Sequence, residues 1–287
     1  MKRSVKPALF VLIVSFTLLL TSCLSTITYE NSHKYSIGNV EITDPVESID
    51  VEWLVGKITV EYGGDAVSVS ETANKDLNDN IKLRYWLDGS TLRVRFAKTG
   101  RLNASGLEKD LTITLPSSTV LEKADIYGAA VDITLNGIMA KYCEVETVSG
   151  DIHLSDTIVS VSSDISTVGG NIDIKNQGVI KDMTVENVSG NIELTASVQD
   201  EIEAETVSGN LNVNMLMPAE KCELSTVSGN IALKMPEGTA FSVKCETVSG
   251  NISCEHEAVT ENDTFKIAGG GKLYKIETVS GNIKIEK

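Results

Sequence analysis

Acids recur at fixed spacing in this 287-residue chain, and regularly spaced carboxylates can bind cations or move protons. Glu144, Glu146, Asp164, Glu186, Glu203, Glu205, Glu223, Glu246 and Glu277 each stand four or six residues before a glycine. Glu186 and Glu205 are the candidates for a weak divalent-ion stripe. Ca²⁺, however, takes about 6–8 oxygens, and no Asp-rich calcium loop is present. A solvated acidic face is the plainer reading, with Ser166 and Ser225 relieving like-charge crowding. A second constellation is basic. Residues 81–101 carry Lys82, Arg84, Arg93, Arg95, Lys98 and Arg101 against Asp88 alone, a local charge of +5 in a chain of −15. With Trp86, this patch could contact an anionic envelope polymer or headgroups, or it could protect a strand edge from aggregation. Cys143, Cys222, Cys245 and Cys254 lack metal-type CxxC spacing. They could pair in an exported protein, but small buried hydrophobes are the preferred reading. His33, His153 and His256 are scattered. There is no Gly-x-Ser-x-Gly, His-Glu-x-x-His or P-loop. The expectation is therefore a protein that is not an enzyme and has no cofactor. Forty acids against 25 Lys plus Arg also make a poor nucleic-acid binder.

What must position these residues is a repeat. Glu146-Thr147-Val148-Ser149-Gly150-Asp151-Ile152 returns around Gly170, Gly190, Gly209, Gly229, Gly250 and Gly281, at spacings of 20, 20, 19, 20, 21 and 31 residues. That period is too short for paired helices and suits one coil of a β-solenoid. Before each corner the apolar positions alternate in one phase (Ile202, Ala204, Thr206). After it they alternate in the other (Leu211, Val213), so the chain bends and both strands face one interior. The phase recurs in degraded form at Ile49, Val51 and Trp53, and at Val131, Ile133 and Leu135. The solenoid domain therefore spans 46–287. About eight coils stacked at ~4.8 Å would make a rod roughly 40 Å long. Asn171, Asn191, Asn210, Asn230, Asn251 and Asn282 would form a structural ladder down one corner. Cys222 and Cys245 would lie on neighbouring coils, two positions out of register. Residues 61–115 interrupt the pattern with a hairpin turning at Asp88-Gly89-Ser90. The segment between Cys254 and Tyr274 reads as a projecting loop. Lys284, Glu286 and Lys287 would discourage end-to-end stacking, leaving a monomer.

The first 45 residues address the compartment. Lys2, Arg3 and Lys6 precede an apolar run from Ala8 to Leu20, too short to span a bilayer and apt for a secretory signal. Leu20-Thr21-Ser22-Cys23 follows and resembles the lipobox of bacterial lipoproteins. That resemblance implies removal of residues 1–22 and lipidation of Cys23. Removing three positive charges and no acids takes the formal charge from −15 to −18. Residues 23–45 then read as the lipidated Cys and a polar tether. Leu24, which is not Asp, implies the outer membrane in a diderm host.

The Thr-Val-Ser-Gly-Asn-Ile corner, Leu115-Pro116-Ser117-Ser118 and the terminal Gly281-Asn282-Ile283-Lys284-Ile285 together resemble the DUF4097 family. The likeness implies an all-β, single-chain β-solenoid, to which the residues add an N-terminal hairpin insertion, and an adhesin-like role in the bacterial envelope. It brings no catalytic residues. The expected function is a lipid-anchored, non-catalytic interaction scaffold. Its partners would be the membrane, through the anchor, and an envelope glycan or protein. The alternatives are a carbohydrate-active β-solenoid enzyme and an accessory regulator of envelope-stress signalling.

Overall fold

Each repeat lays down a strand, a corner and a second strand, neither of which can bury a face alone. The computed structural model describes residues 26–261 and 264–287, and there the coils stack in parallel as the repeat requires. Ile172 lies beside Ile192, then Leu211, Ile231 and Ile283, one residue per coil. In the arm before the corner, Met183 lies beside Ile202 and Ile202 beside Cys222. These inward columns are buried, and the two arms of each coil enclose one aliphatic core.

The corner is a three-residue device. A Cβ on Gly170 would lie 1.9 Å from the Gly150 carbonyl oxygen, and one on Gly209 or Gly229 would lie 1.8 Å from the corner oxygen of the preceding coil. Only glycine permits that approach. At most corners the inward Thr hydroxyl donates to the same carbonyl, as Thr167 does to Gly150 at 3.3 Å and Thr278 to Gly229 at 3.2 Å; the Thr206 hydroxyl is buried without a partner among the described residues. On the outside, each Asn side-chain oxygen accepts the backbone N–H of the next coil's Asn. Asn171 serves Asn191, Asn191 serves Asn210 and Asn210 serves Asn230, each at 3.0 Å. Asn230 serves Asn282 and Asn282 serves Asn251, each at 2.9 Å. The corner's polar backbone groups are thus satisfied between coils.

Three expectations are corrected at the ends. The coils do not stack in chain order. The coil 48–62 sits between 91–115 and 120–136, and the coil 272–286 sits between 221–234 and 241–254. Cys222 and Cys245 are therefore separated by an intervening coil. Lys284 and Glu286 lie inside the stack rather than guarding its end. Second, the segment after Cys254 does not project as a loop. Ala258–Glu261 and Thr264–Ile267 form an antiparallel hairpin that pairs along residues 241–244, covering the first part of the edge the stack would otherwise expose. Third, the described part of the expected tether is strand-paired. Thr26–Ile27 pairs with Gly100–Arg101, Ser36–Ile37 with Arg84–Asp88, and Val40–Ile42 with Val67–Ala73. Unpaired backbone beside open sheet edges finds partners there, which a polar composition does not reveal. The expected hairpin, Arg84–Asp88 and Thr91–Arg95, is present and caps the N-terminal end of the rod.

Gly170 and its neighbour Gly169 separate close approach from general flexibility. Alanine at 170 should destabilise the fold by about 3 kcal/mol or more, because the clash is with backbone of the preceding coil. Alanine at 169, where the nearest atom would be 3.8 Å away and other repeats carry Ser149 or Ser189, should cost less than about 1 kcal/mol. Urea denaturation midpoints of the two variants check this.

Candidate functional site

In-register stacking turns the periodic acids into two outward columns. One runs Arg93, Asp50, Asp125, Glu144, Asp164, Thr184, Glu203, Glu223, Lys275 and Lys244. The other runs Arg95, Glu52, Tyr127, Glu146, Ser166, Glu186, Glu205, Ser225, Glu277 and Glu246, through the same strand pairs. Glu186 and Glu205 do meet, directly opposite on adjacent coils. Ser225 Oγ donates to Glu205 Oε1 at 3.0 Å. No group of three or more His, Cys, Asp or Glu among the described residues is arranged to hold a metal. Burial, and then the neighbouring Glu205 charge, raises the Glu186 carboxyl above its ordinary value. Burial likewise raises Glu52, Asp125, Glu146 and Asp164.

The basic hairpin face assembles as expected, with Arg84 opposite Arg95 and Trp86 opposite Arg93. It is not a free cationic face, because the stacked acids of the next coil neutralise its centre. Arg95 is buried, its guanidinium 2.7 Å from Asp50 and 3.2 Å from Glu52. Arg93 pairs with Asp50 and, at 3.3 Å, with Asp88. Lys82 pairs with Asp79 at 2.9 Å, and Arg84 donates to the Asp79 carbonyl. Trp86 packs edge-on against Tyr35, with Lys34 Nζ 4.5 Å from its ring centre. These contacts come from the segment 23–45, so the hairpin's aromatic face is partly covered by the short 3-10 turn Ser32–Lys34 and the Tyr35 that follows it.

Two further arrangements carry no motif that sequence reading could have used. Behind the hairpin, Lys109 is fully buried and 2.6 Å from Glu71, itself only 6% exposed. Lys109 Nζ donates to the carbonyls of Ile81, at 2.7 Å, and Phe96. It also lies 4.7 Å from the Trp53 ring centre and 4.3 Å from that of Phe96. Burial pulls its pKa down to about 8. Glu71 also accepts the Leu83 N–H, so the pair ties the interrupting segment to the first coils. The second is a shallow groove of about 800 Å³ on the outer face of the arms after the corner, walled by Asp173, Glu193, Asn212, Lys175, Thr195 and Asn214. Its residues stand at alternating positions downstream of the corner, so their shared face was legible. The groove's depth was not. The cysteines Cys143, Cys222, Cys245 and Cys254 are all free. Burial pushes Cys143, Cys222 and Cys245 up to about 12, which leaves them inert core residues. Cys23 lies outside the described residues. Among the described residues no helix is long and apolar enough to cross a membrane.

A family model described as Toastrack DUF4097 matches residues 38–286. The chain belongs to that family. None of the curated proteins matches it. Solved structures similar to this DUF4097 chain include a proposed adhesin from Bacteroides fragilis NCTC 9343, with 13% identity, a TM-score of 0.49, and coverage of 88% of this chain and 97% of the other. A proposed lipid-binding protein from Parabacteroides distasonis ATCC 8503 has 15% identity, a TM-score of 0.49, and coverage of 87% and 96%. A proposed adhesin from Parabacteroides merdae ATCC 43184 has 13% identity, a TM-score of 0.40, and coverage of 88% and 97%. None of the three is similar enough to carry a function across.

The DUF4097 fold therefore holds two ionic features that stability measurements can separate. Lys109→Met strands the buried Glu71 charge and should destabilise by ~3–5 kcal/mol; adding Glu71→Gln should recover a large part. The acid columns have a pH signature. A carboxyl whose folded pKa is raised binds more protons folded than unfolded. Its stabilising contribution is full at low pH and is lost as pH rises through the folded value. Glu186→Gln should therefore raise the melting temperature at pH 7, and the gain should shrink as pH falls toward the ordinary carboxylate value of 4.5. Thermal melts at a series of pH values read both outcomes.

Proposed function

We propose that the protein is a lipid-anchored, non-catalytic member of the bacterial envelope that displays its rod as an interaction surface. One observation carries the anchoring: Leu20-Thr21-Ser22-Cys23 ends a basic and apolar leader, and only Leu24 and Ser25 separate Cys23 from the first strand at Thr26. Several acyl chains on one residue, at ~0.8 kcal/mol per buried CH₂, would make the attachment stable. In a diderm host Leu24 directs the protein to the outer membrane. The display role is supported by how the ionisable groups are laid out. The columns place one side chain per coil along a line instead of converging on a point. The most desolvated pair, Lys109 and Glu71, is sealed from any substrate. The groove along Asp173, Glu193 and Asn212, flanked by Lys175, offers a surface that could receive an envelope glycan or an extended protein segment.

The second reading, a carbohydrate-active enzyme, has one observation in its favour: Asp173 and Glu193 are carboxylates on adjacent coils lining that groove. Incubating the protein with a panel of envelope glycans separates the two. Retention without cleavage supports the display role. Cleavage that disappears in Asp173→Asn or Glu193→Gln overturns it.

The anchor has its own test. Expressed with an alkynyl fatty acid, the wild-type chain should incorporate label and shorten by 22 residues. Cys23→Ala should do neither, and label persisting in that variant would refute lipidation at Cys23.

A further inference from the structure

Thr26 pairs with Arg101 and Ile27 with Gly100, and the Tyr29 hydroxyl donates to the Ala97 carbonyl at 2.8 Å. If Cys23 is acylated, only Leu24 and Ser25 lie between it and that pairing. Three residue steps span at most about 11 Å even fully extended. A paired strand adds ~5 Å, so the backbone of Gly100–Arg101 is held within roughly 16 Å of the acylated residue. No tether lifts the rod. With Cys23 acylated, the N-terminal end of the rod lies beside the membrane as its foot.

That end holds a pocket of about 590 Å³ whose wall includes Lys75, Lys98, Arg101, Asn80 and Asn103, with Asp76 as its single acid. Lys98 and Arg101 are exposed, and neither has an ion-pair partner among the described residues. Among the described residues, Lys75 reaches only a backbone oxygen, that of Ser105, at 3.3 Å. The contrast with the neighbouring hairpin is informative. There Arg93 and Arg95 are neutralised by Asp50 and Glu52, whereas here three cations face one carboxylate. In a chain of formal charge −15, standing upright on an anionic surface is electrostatically unfavourable unless the foot itself is basic.

We propose that the pocket of Lys75, Lys98 and Arg101 binds the phosphate headgroup of an anionic phospholipid, of the phosphatidylglycerol type, in the membrane that carries the anchor. The proposal rests on the reading that Cys23 is lipidated. That attachment brings the pocket within reach of headgroups, and the cations and Asn amides supply donors for phosphate oxygens. Binding then orients the rod and points its far end, capped by the hairpin 258–267, away from the bilayer.

The purified mature protein is placed in nanodiscs of phosphatidylcholine alone or with phosphatidylglycerol, and its lysines are labelled with an amine-acetylating reagent. Lys75 and Lys98 should be protected about fivefold or more in the phosphatidylglycerol discs, while Lys221 and Lys244 react equally in both. Raising salt should remove the protection, because exposed charges are screened over less than ~10 Å. Equal reactivity of Lys75 and Lys98 in the two discs overturns the proposal without requiring any variant to fold. Arg101→Gln, with an unchanged melting temperature, should weaken the protection at Lys98; unchanged protection counts against the pocket. Added glycerol phosphate that reproduces the protection in phosphatidylcholine discs would assign the site to a soluble phosphate and overturn the headgroup. Intact mass reports acylation separately. If the protein carries no acyl chains, the same labelling with phosphatidylglycerol vesicles still decides the pocket, so the two failures are distinguishable.

Discussion

The closest constraint in this molecule is the approach of each corner glycine to the carbonyl oxygen of the preceding corner. A Cβ at Gly209, Gly229 or Gly281 would sit 1.8 Å from that oxygen, which no side chain tolerates. Around that contact the rest of the repeat is arranged. At most corners an inward Thr hydroxyl donates to the carbonyl (Thr206, buried without a partner among the described residues, is the exception), an outward Asn oxygen accepts the amide, and the alternating phases on either side follow from the bend. Where Thr is replaced, the function is kept: Asn187 donates from its amide to the Gly170 carbonyl at 2.8 Å. The repeat is thus read by the hydrogen bonds it must close rather than by its letters.

Stacking in register has an electrostatic consequence. An acid that recurs every 20 residues lands on another acid about 4.8 Å away. Burial and mutual repulsion then raise the carboxyls of Glu186, Asp164 and Glu146. The chain relieves the columns with Thr184, Ser166 and Ser225 and ends them with cations, Arg93 and Arg95 at one end and, for one column, Lys275 and Lys244 at the other. The basic hairpin is therefore largely the terminus of the acidic stripe. What remains uncompensated lies beyond it, at the foot.

The ends also explain how a repetitive rod stops. Both outermost coils are followed by antiparallel segments, and both chain-terminal coils are threaded into the second slot, so each has neighbours on both sides. This ordering raises the number of long-range contacts that must form before either end is complete. It covers part of the parallel edges that would template association. It also places the N-terminal strand beside the basic pocket, which is how fold and proposed membrane contact become connected.

Residue types and spacing alone settled the repeating unit, the two strand phases, the corner, the Asn ladder, the hairpin at Asp88-Gly89-Ser90 and the inward position of Cys143, Cys222 and Cys245. All of these are local or periodic, and periodicity survives in one dimension. Coil order was decided only in three dimensions, because every coil offers nearly the same edge to every other. The pairing of Lys109 with Glu71, 38 residues apart, left no local trace for the same reason. The neutralisation of Arg93 and Arg95 likewise depended on which acids stacking brought beside them. Polar residues 26–42 looked like a tether, since strand pairing by backbone at a sheet edge needs no hydrophobic pattern. The sequence by itself thus determined what one coil is; the tertiary structure decided which coils meet, and with that which charges remain exposed.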